Sequence, residues 1–126
     1  MKREIIKTDE SGNLILPADT SRIAMTEYEI AELFGVIAPM IRAAIKAVYR
    51  SGIIREEEAK RYLHTANGNI IEVYSLETIF ALAFRVDSFG ANKVREYLFR
   101  TLRANRRPAV HLLLTCSRNA GTTVPN

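Results

Sequence analysis

Residues 26–51, TEYEIAELFGVIAPMIRAAIKAVYRS, constrain this chain more than any other segment. Ile30, Ala31 and Phe34 recur at the spacing of one helix face. Gly35 follows at once, where a sharp turn needs a residue that tolerates positive φ. Ile41, Ala44, Ile45 and Val48 then repeat at intervals of three and four, the pattern of a second amphipathic helix. Thr26 with Glu29 three residues later forms a capping box, and Glu27 complements the positive end of the first helix. Pro39 suits the first turn of the second helix, where its missing N–H costs nothing. Ala31 is small where the two helices would cross. The segment therefore reads as a helix-turn-helix, a unit that can present its second helix to a DNA major groove.

The flanking segments predict an α+β fold around this unit. Residues 3–17 read as an N-terminal β-hairpin, with Glu4-Ile5-Ile6-Lys7 and Asn13-Leu14-Ile15-Leu16 about the turn Asp9-Glu10-Ser11-Gly12. Gly52 is placed to stop the second helix, Ile53-Ile54 to pack inward, and Glu56-Glu57-Glu58 to lie on a solvated turn or short helix. Residues 60–74 read as a second hairpin, with Asn67-Gly68 as a turn in which both residues take positive φ. A hairpin directly after a helix-turn-helix suggests a wing. Ser75 is placed to cap a further helix whose core face is Leu76, Ile79, Phe80, Ala83 and Phe84. After the break Asp87-Ser88-Phe89-Gly90, another helix is expected over about 91–102, with Val94, Tyr97, Leu98, Thr101 and Leu102 on one side and Lys93, Arg95, Arg100 and Arg103 around the rest. The expected architecture is thus a winged helix-turn-helix-like core with two hairpins and two further C-terminal helices. It forms a single domain over residues 1–107, with an apolar strip at 110–114 inside a loose tail, 108–126.

Charge is distributed unevenly. Residues 1–60 hold nine Lys/Arg against ten Asp/Glu, while residues 61–126 hold nine against four, giving the chain a net +4. A basic face attracts phosphate backbones or acidic partners. The single cysteine, Cys116, excludes an intrachain disulfide and suits a reducing compartment. No leader pattern or membrane-length apolar run is visible, so a cytoplasmic protein is expected.

The cationic residues define the candidate site. Arg42, Lys46 and Arg50 fall at i, i+4 and i+8 on the second helix and share a face. Long cations so spaced suit phosphate contact, and the forked head of Arg42 also matches guanine O6 and N7. Pro39 starts the same helix, and Lys60, Arg61, His64 and Asn67 in the second hairpin offer further contacts. For His64 the preferred reading is a half-buried residue satisfied by the neighbouring strand; Tyr49 and Tyr62 are likewise read as half-buried. Arg85 suits the negative end of the helix before it. The basic last helix, with Arg106-Arg107 beyond it, can hold a backbone or an acidic partner subunit. Against sequence-specific reading, Ile37, Ala38 and Met40 occupy the end of the helix where base-contacting polar side chains are expected. Glu27, Glu29 and Glu32 on the first helix would repel a nearby phosphate. Ile37, Met40 and the strip 110–114 instead suit a protein-docking or self-association surface.

Leu63-His64-Thr65, the Asn-Gly turn, Tyr74-Ser75-Leu76-Glu77-Thr78-Ile79 and Phe84-Arg85-Val86-Asp87-Ser88 follow in order after Met25-Thr26 and Ile30-Ala31-Glu32-Leu33-Phe34-Gly35-Val36. In this order and spacing, residues 3–103 resemble the N-terminal region of the RhuM family of bacterial virulence-associated proteins. The resemblance implies a DNA-binding or regulatory protein linked to mobile elements. A Ser or Thr commonly stands in that family where Ile37 stands here, and residues 108–126 do not resemble the family's longer C-terminal region.

No catalytic constellation is visible. His64 and His111 lack metal-spaced neighbours, Cys116 lacks a base, and Gly90 and Gly121 stand in no phosphate-cradling loop. The expected protein is not an enzyme and uses no metal, cofactor or small-molecule substrate. Its expected partner is double-stranded DNA, with a homodimer as a further possibility and no membrane. The alternative is a protein-interaction module on the same scaffold.

Overall fold

The apolar spacing of residues 26–51 becomes two helices in the computed structural model, which describes residues 2–104. Helix α1 spans Glu27–Phe34 and α2 spans Ala38–Ser51. Thr26 and Glu29 form the full capping box. Gly35, at φ 74°, ends α1, and its N–H and that of Val36 both reach the Ala31 carbonyl. Pro39 lies in the first turn of α2, and Gly52 closes that helix at φ 79°. Ile30, Ala31 and Phe34 face Ile41, Ile45 and Val48 in one buried cluster.

The architecture is mixed α and β, with two small antiparallel hairpins. Strands β1 (Lys7–Thr8) and β2 (Leu14–Ile15) pair Lys7 with Ile15 and Thr8 with Leu14. This ladder is shorter than the sequence suggests, because Glu4 pairs instead with Ile23. A single 3-10 turn, Thr20–Arg22, connects β2 to α1. After α2 come a one-turn helix α3 (Glu56–Ala59) and strands β3 (Lys60–His64) and β4 (Ile70–Tyr74). In the β3–β4 ladder Lys60 faces Tyr74 and His64 faces Ile70. Met25 bridges to Tyr74, which ties the hairpin to the start of α1. Asn67 does not take positive φ; Gly68 alone does so in this turn, at 84°, and its N–H bonds the Thr65 carbonyl. That is a longer loop closed by a left-handed glycine rather than a two-residue turn.

Helices α4 (Leu76–Ala83) and α5 (Phe89–Ala104) complete the described chain. The buried face of α4 is Thr78, Ile79, Leu82 and Ala83; Phe84 lies beyond the last turn and is exposed. Thr78 is tolerated inside because its hydroxyl meets the Tyr49 phenol at 2.9 Å. Ser75 stands at the N-cap of α4 without capping it, and its Oγ is buried with no hydrogen-bond partner. Ile53 points to solvent, 83% exposed, while Ile54 alone of the pair is half-buried against the core, in a bend that follows Gly52.

Helix α5 starts earlier than expected because Ser88 caps it, accepting from the Ala91 N–H at 3.1 Å while donating to the Phe34 carbonyl at 2.7 Å. Gly90 then sits against the end of α1. A Cβ there would lie 2.3 Å from the Leu33 carbonyl oxygen and 2.6 Å from Phe34 Cα. This close approach joins α5 to α1; Ala31, the small residue expected between α1 and α2, is itself buried in the core cluster.

The chain divides into two units, Met1–Arg95 and Glu96–Asn126. The first holds both hairpins, α1 to α4 and the start of α5. The described part of the second is the remainder of α5. The expected features Arg106-Arg107, Pro108, the 110–114 strip, His111, Cys116 and Gly121 lie outside the described residues. Among the described residues, no helix is long and apolar enough to cross a membrane.

Candidate nucleic-acid interface

Burial of Ile41, Ile45 and Val48 turns the opposite side of α2 to solvent, and Arg42, Lys46 and Arg50 are all exposed there. At 1.5 Å rise per residue they span roughly 12 Å along the helix axis, about the width of a DNA major groove. Pro39 is exposed at the start of the same helix, beside Ile37 at 67% and Met40 at 47% exposure.

The three cations are not equivalent. Arg42 is held by Glu27 of α1 through a two-pronged pair, Nη2 to Oε2 at 2.6 Å and Nε to Oε1 at 3.2 Å. The hydrogen bond to Glu27 and its charge raise the Arg42 pKa above its already high ordinary value. Lys46 and Arg50 form no ion pair among the described residues. The two helices thus leave α2 with one engaged cation and two open ones.

The carboxylates of α1 change meaning in the same way. Glu29 accepts from Arg3 at 2.7 and 2.9 Å and from the Thr26 N–H at 2.8 Å. Burial raises its pKa, but the bonds from Arg3 and Thr26 outweigh that and lower it. Glu27 and Glu29 are therefore neutralised by Arg42 and Arg3. Only Glu32 of the three remains an exposed carboxylate without an ion pair among the described residues.

Across from α2, the hairpin carries both engaged and open polar residues. Lys60 donates to Glu56 at 3.0 Å and lies 3.7 Å from Glu72, and its ammonium sits 5.4 Å from the Tyr62 ring centre. The bond to Glu56 pushes its pKa upward despite burial, with Tyr62 and then Glu72 adding to the rise. Arg61 and Asn67 are exposed, and Arg61 has no ion pair among the described residues. His64 is exposed rather than half-buried, because its strand position faces solvent; Tyr62 is exposed for the same reason. Tyr49 is half-buried as its helical position suggests.

A groove of about 710 Å³ runs between α2 and the hairpin. Arg42, Lys46 and Arg50 line one side; Glu56, Lys60 and Glu72 line the other, with Glu27 at one end. Tyr49 and Tyr74 form the floor with ring centres 6.4 Å apart. Burial raises the pKa of both phenols, and the bond from Tyr74 to Glu72 at 2.9 Å raises that of Tyr74 further. Both hydroxyls stay protonated at neutral pH and carry no base. Four cations and three carboxylates line this groove.

Outside the groove, the acidic run pairs locally: Arg55 contacts Glu57 at 3.5 Å and Glu58 at 3.7 Å. Arg85 is exposed beyond the end of α4. The residue that closes that helix is Arg95, which donates to the carbonyls of Ala83 and Val86. Arg95 is thereby withdrawn from the basic surface expected of α5.

Sequence reasoning missed Glu27 as a partner of Arg42, since they lie 15 residues apart on different helices. For Lys60 a local signal existed, as Glu56 stands four residues before it. Comparison with protein families, with curated proteins and with solved structures finds no match to this chain.

Proposed function

We propose that this chain is a non-catalytic, cytoplasmic DNA-binding regulator of the RhuM type, linked to a mobile or virulence-associated element. In this reading α1 and α2 act as a helix-turn-helix and the β3–β4 hairpin as its wing. The family assignment rests on the residue pattern quoted above. The DNA reading rests on one observation: Lys46 and Arg50 stand open, one turn apart, on the exposed face of α2, while Arg42, Lys60 and Arg3 are each paired with a carboxylate. Open cations release counterions on meeting phosphate; paired ones must first exchange a partner. Lys46, Arg50 and Arg61 therefore supply the backbone contacts, and Arg42 and Asn67 are placed to touch bases or sugar. Pro39 sets the helix start.

The Lys46→Ala/Arg50→Ala double variant tests this. With a random-sequence duplex at low salt, affinity should fall roughly tenfold, about 1.4 kcal/mol. The slope of log K against log salt should become shallower by about 0.9 for each lost phosphate contact. Unchanged affinity and slope would remove α2 from the mechanism.

Exposed Ile37 and Met40 favour a second reading, in which the same scaffold docks another protein or a second copy of itself. A tight dimer by light scattering that ignores DNA at low salt would select it.

A further inference from the structure

We propose that Glu27 is a positioning residue that turns Arg42 from a backbone contact into a reader of guanine. The inference rests on the DNA reading above and deepens it. Glu27 occupies the first position of α1, a helix that carries none of the open cations of α2. Its carboxylate is 18% exposed, whereas the Arg42 side chain is 50% exposed. The acid is thus tucked between the helices and the base projects.

The geometry of the pair decides what Arg42 still offers. Glu27 takes the Nε edge of the guanidinium, through Nε at 3.2 Å and Nη2 at 2.6 Å. A guanidinium has five N–H donors in a rigid plane. The three left over belong to Nη1 and the far side of Nη2, and two of them form a second parallel fork. That fork matches the O6 and N7 acceptors of guanine, the commonest specific major-groove contact. An unpaired arginine offers both forks in many orientations. One held along its near edge offers one fork in one direction, with part of its rotamer freedom given up before binding.

Charge supports the same division. The Glu27 carboxylate cancels the field of Arg42 at a distance, which weakens its pull on phosphate. A neutral guanine edge needs directed donors rather than net charge. Lys46 and Arg50, unpaired among the described residues, keep their full charge for the backbone. Ile37, Ala38 and Met40 offer no side-chain donor to bases, so reading of bases by α2 falls on Arg42.

The test is selection from a pool of random 30-base-pair duplexes with wild-type protein, Glu27→Gln and Arg42→Lys, each first checked for an unchanged thermal melt. Wild-type protein should enrich sites with one strongly preferred guanine. Glu27→Gln should still retain random duplex, as well as or better than wild type at low salt, because one negative charge is gone. Its preference at that guanine should fall about tenfold. Arg42→Lys, which keeps the charge and loses the fork, should lose the preference at the same position. Equal guanine preference in wild type and Glu27→Gln overturns the inference alone. Selection by wild type with no guanine preference at any position overturns it too. Failure of wild-type protein to retain any duplex overturns the proposed function and this inference together.

Discussion

Helix α1 meets its neighbours by opposite means at its two ends. At the C-terminal end, α5 approaches so closely that Gly90 rests on the backbone of Leu33 and Phe34, and Ser88 bonds the Phe34 carbonyl. At the N-terminal end, Glu27 reaches α2 through a charged pair whose basic partner stays half in water. The first junction is backbone against backbone and admits no added atom. The second is long side chain against long side chain, beside an open groove. Close-packed seams transmit rigidity, whereas exposed ion pairs contribute little to stability. The fold is thus anchored at one end of α1 and left chemically available at the other. Substitutions at the α5 junction should change stability, and those in the groove should change binding with stability held within about 0.5 kcal/mol.

The largest effect expected is that of Gly90→Ala. Helix propensity alone would make the alanine more stable by about 1 kcal/mol. The added Cβ, however, would sit 2.3 Å from the Leu33 carbonyl oxygen. Overpacking against backbone, which has no rotamer to yield, costs about 3 kcal/mol. The clash wins, so urea unfolding should show a net loss of roughly 2 kcal/mol. A stabilised Gly90→Ala protein would break the contrast between the two junctions at its strongest point.

That junction also marks where reading from sequence stops. The turn of α1 into α2 was legible because its signals are local: an apolar stripe, then Gly35, then a second stripe with Pro39 in its first turn. The capping box at Thr26 was legible for the same reason. Gly90 looked like a helix breaker, since its role depends on α1, and Ser88 meets Phe34 across 54 residues of chain. The face of α4 was misplaced at Phe84, because the position of the last turn determines which residues still count in the helical period. In the candidate site, the stripe of Arg42, Lys46 and Arg50 followed from periodicity. The pairing that divides them did not, because opposite charges on different elements meet only once the helices have packed. Lys60 and Arg95 show the same limit. Each was a surface cation by composition, yet one is held by Glu56 and Glu72 and the other by backbone carbonyls.

A smaller effect at the same seam comes from Ser88→Ala. The hydroxyl both caps α5, by accepting from Ala91, and satisfies the Phe34 carbonyl. Loss of an N-cap oxygen costs about 1 kcal/mol, and the stranded carbonyl adds to this where water cannot reach it. The thermal midpoint should drop by several degrees for a domain of this size, about 4–8 °C per kcal/mol. Duplex affinity at a temperature where the variant stays folded should match wild type. A Ser88→Ala protein that keeps its midpoint but loses DNA would reverse the assignment of rigidity and recognition to the two ends.

The smallest effect, at Glu29, tests the charged end through pH. The folded-state pKa of Glu29 is depressed: burial would raise it, but hydrogen bonds from Arg3 and Thr26 prevail. A depressed carboxylate stabilises the fold above its ordinary titration range, and that contribution is lost as pH falls through the lowered folded value. Glu29→Gln keeps an amide oxygen that can accept from Thr26 but forfeits the charge facing Arg3. At about pH 7 the variant should therefore be less stable by roughly 1 kcal/mol, the upper end for a single partly exposed ion pair. As wild-type Glu29 protonates, the two proteins should converge, so their urea midpoints should approach one another as pH falls below the ordinary glutamate value of 4.5 and through the lowered folded value. A gap that stays constant through this range would mean that Glu29 acts by shape rather than charge. The charged end of α1 would then owe its stability to the capping hydrogen bonds, and Glu27–Arg42 would stand as the helix's one pair chosen for its charge.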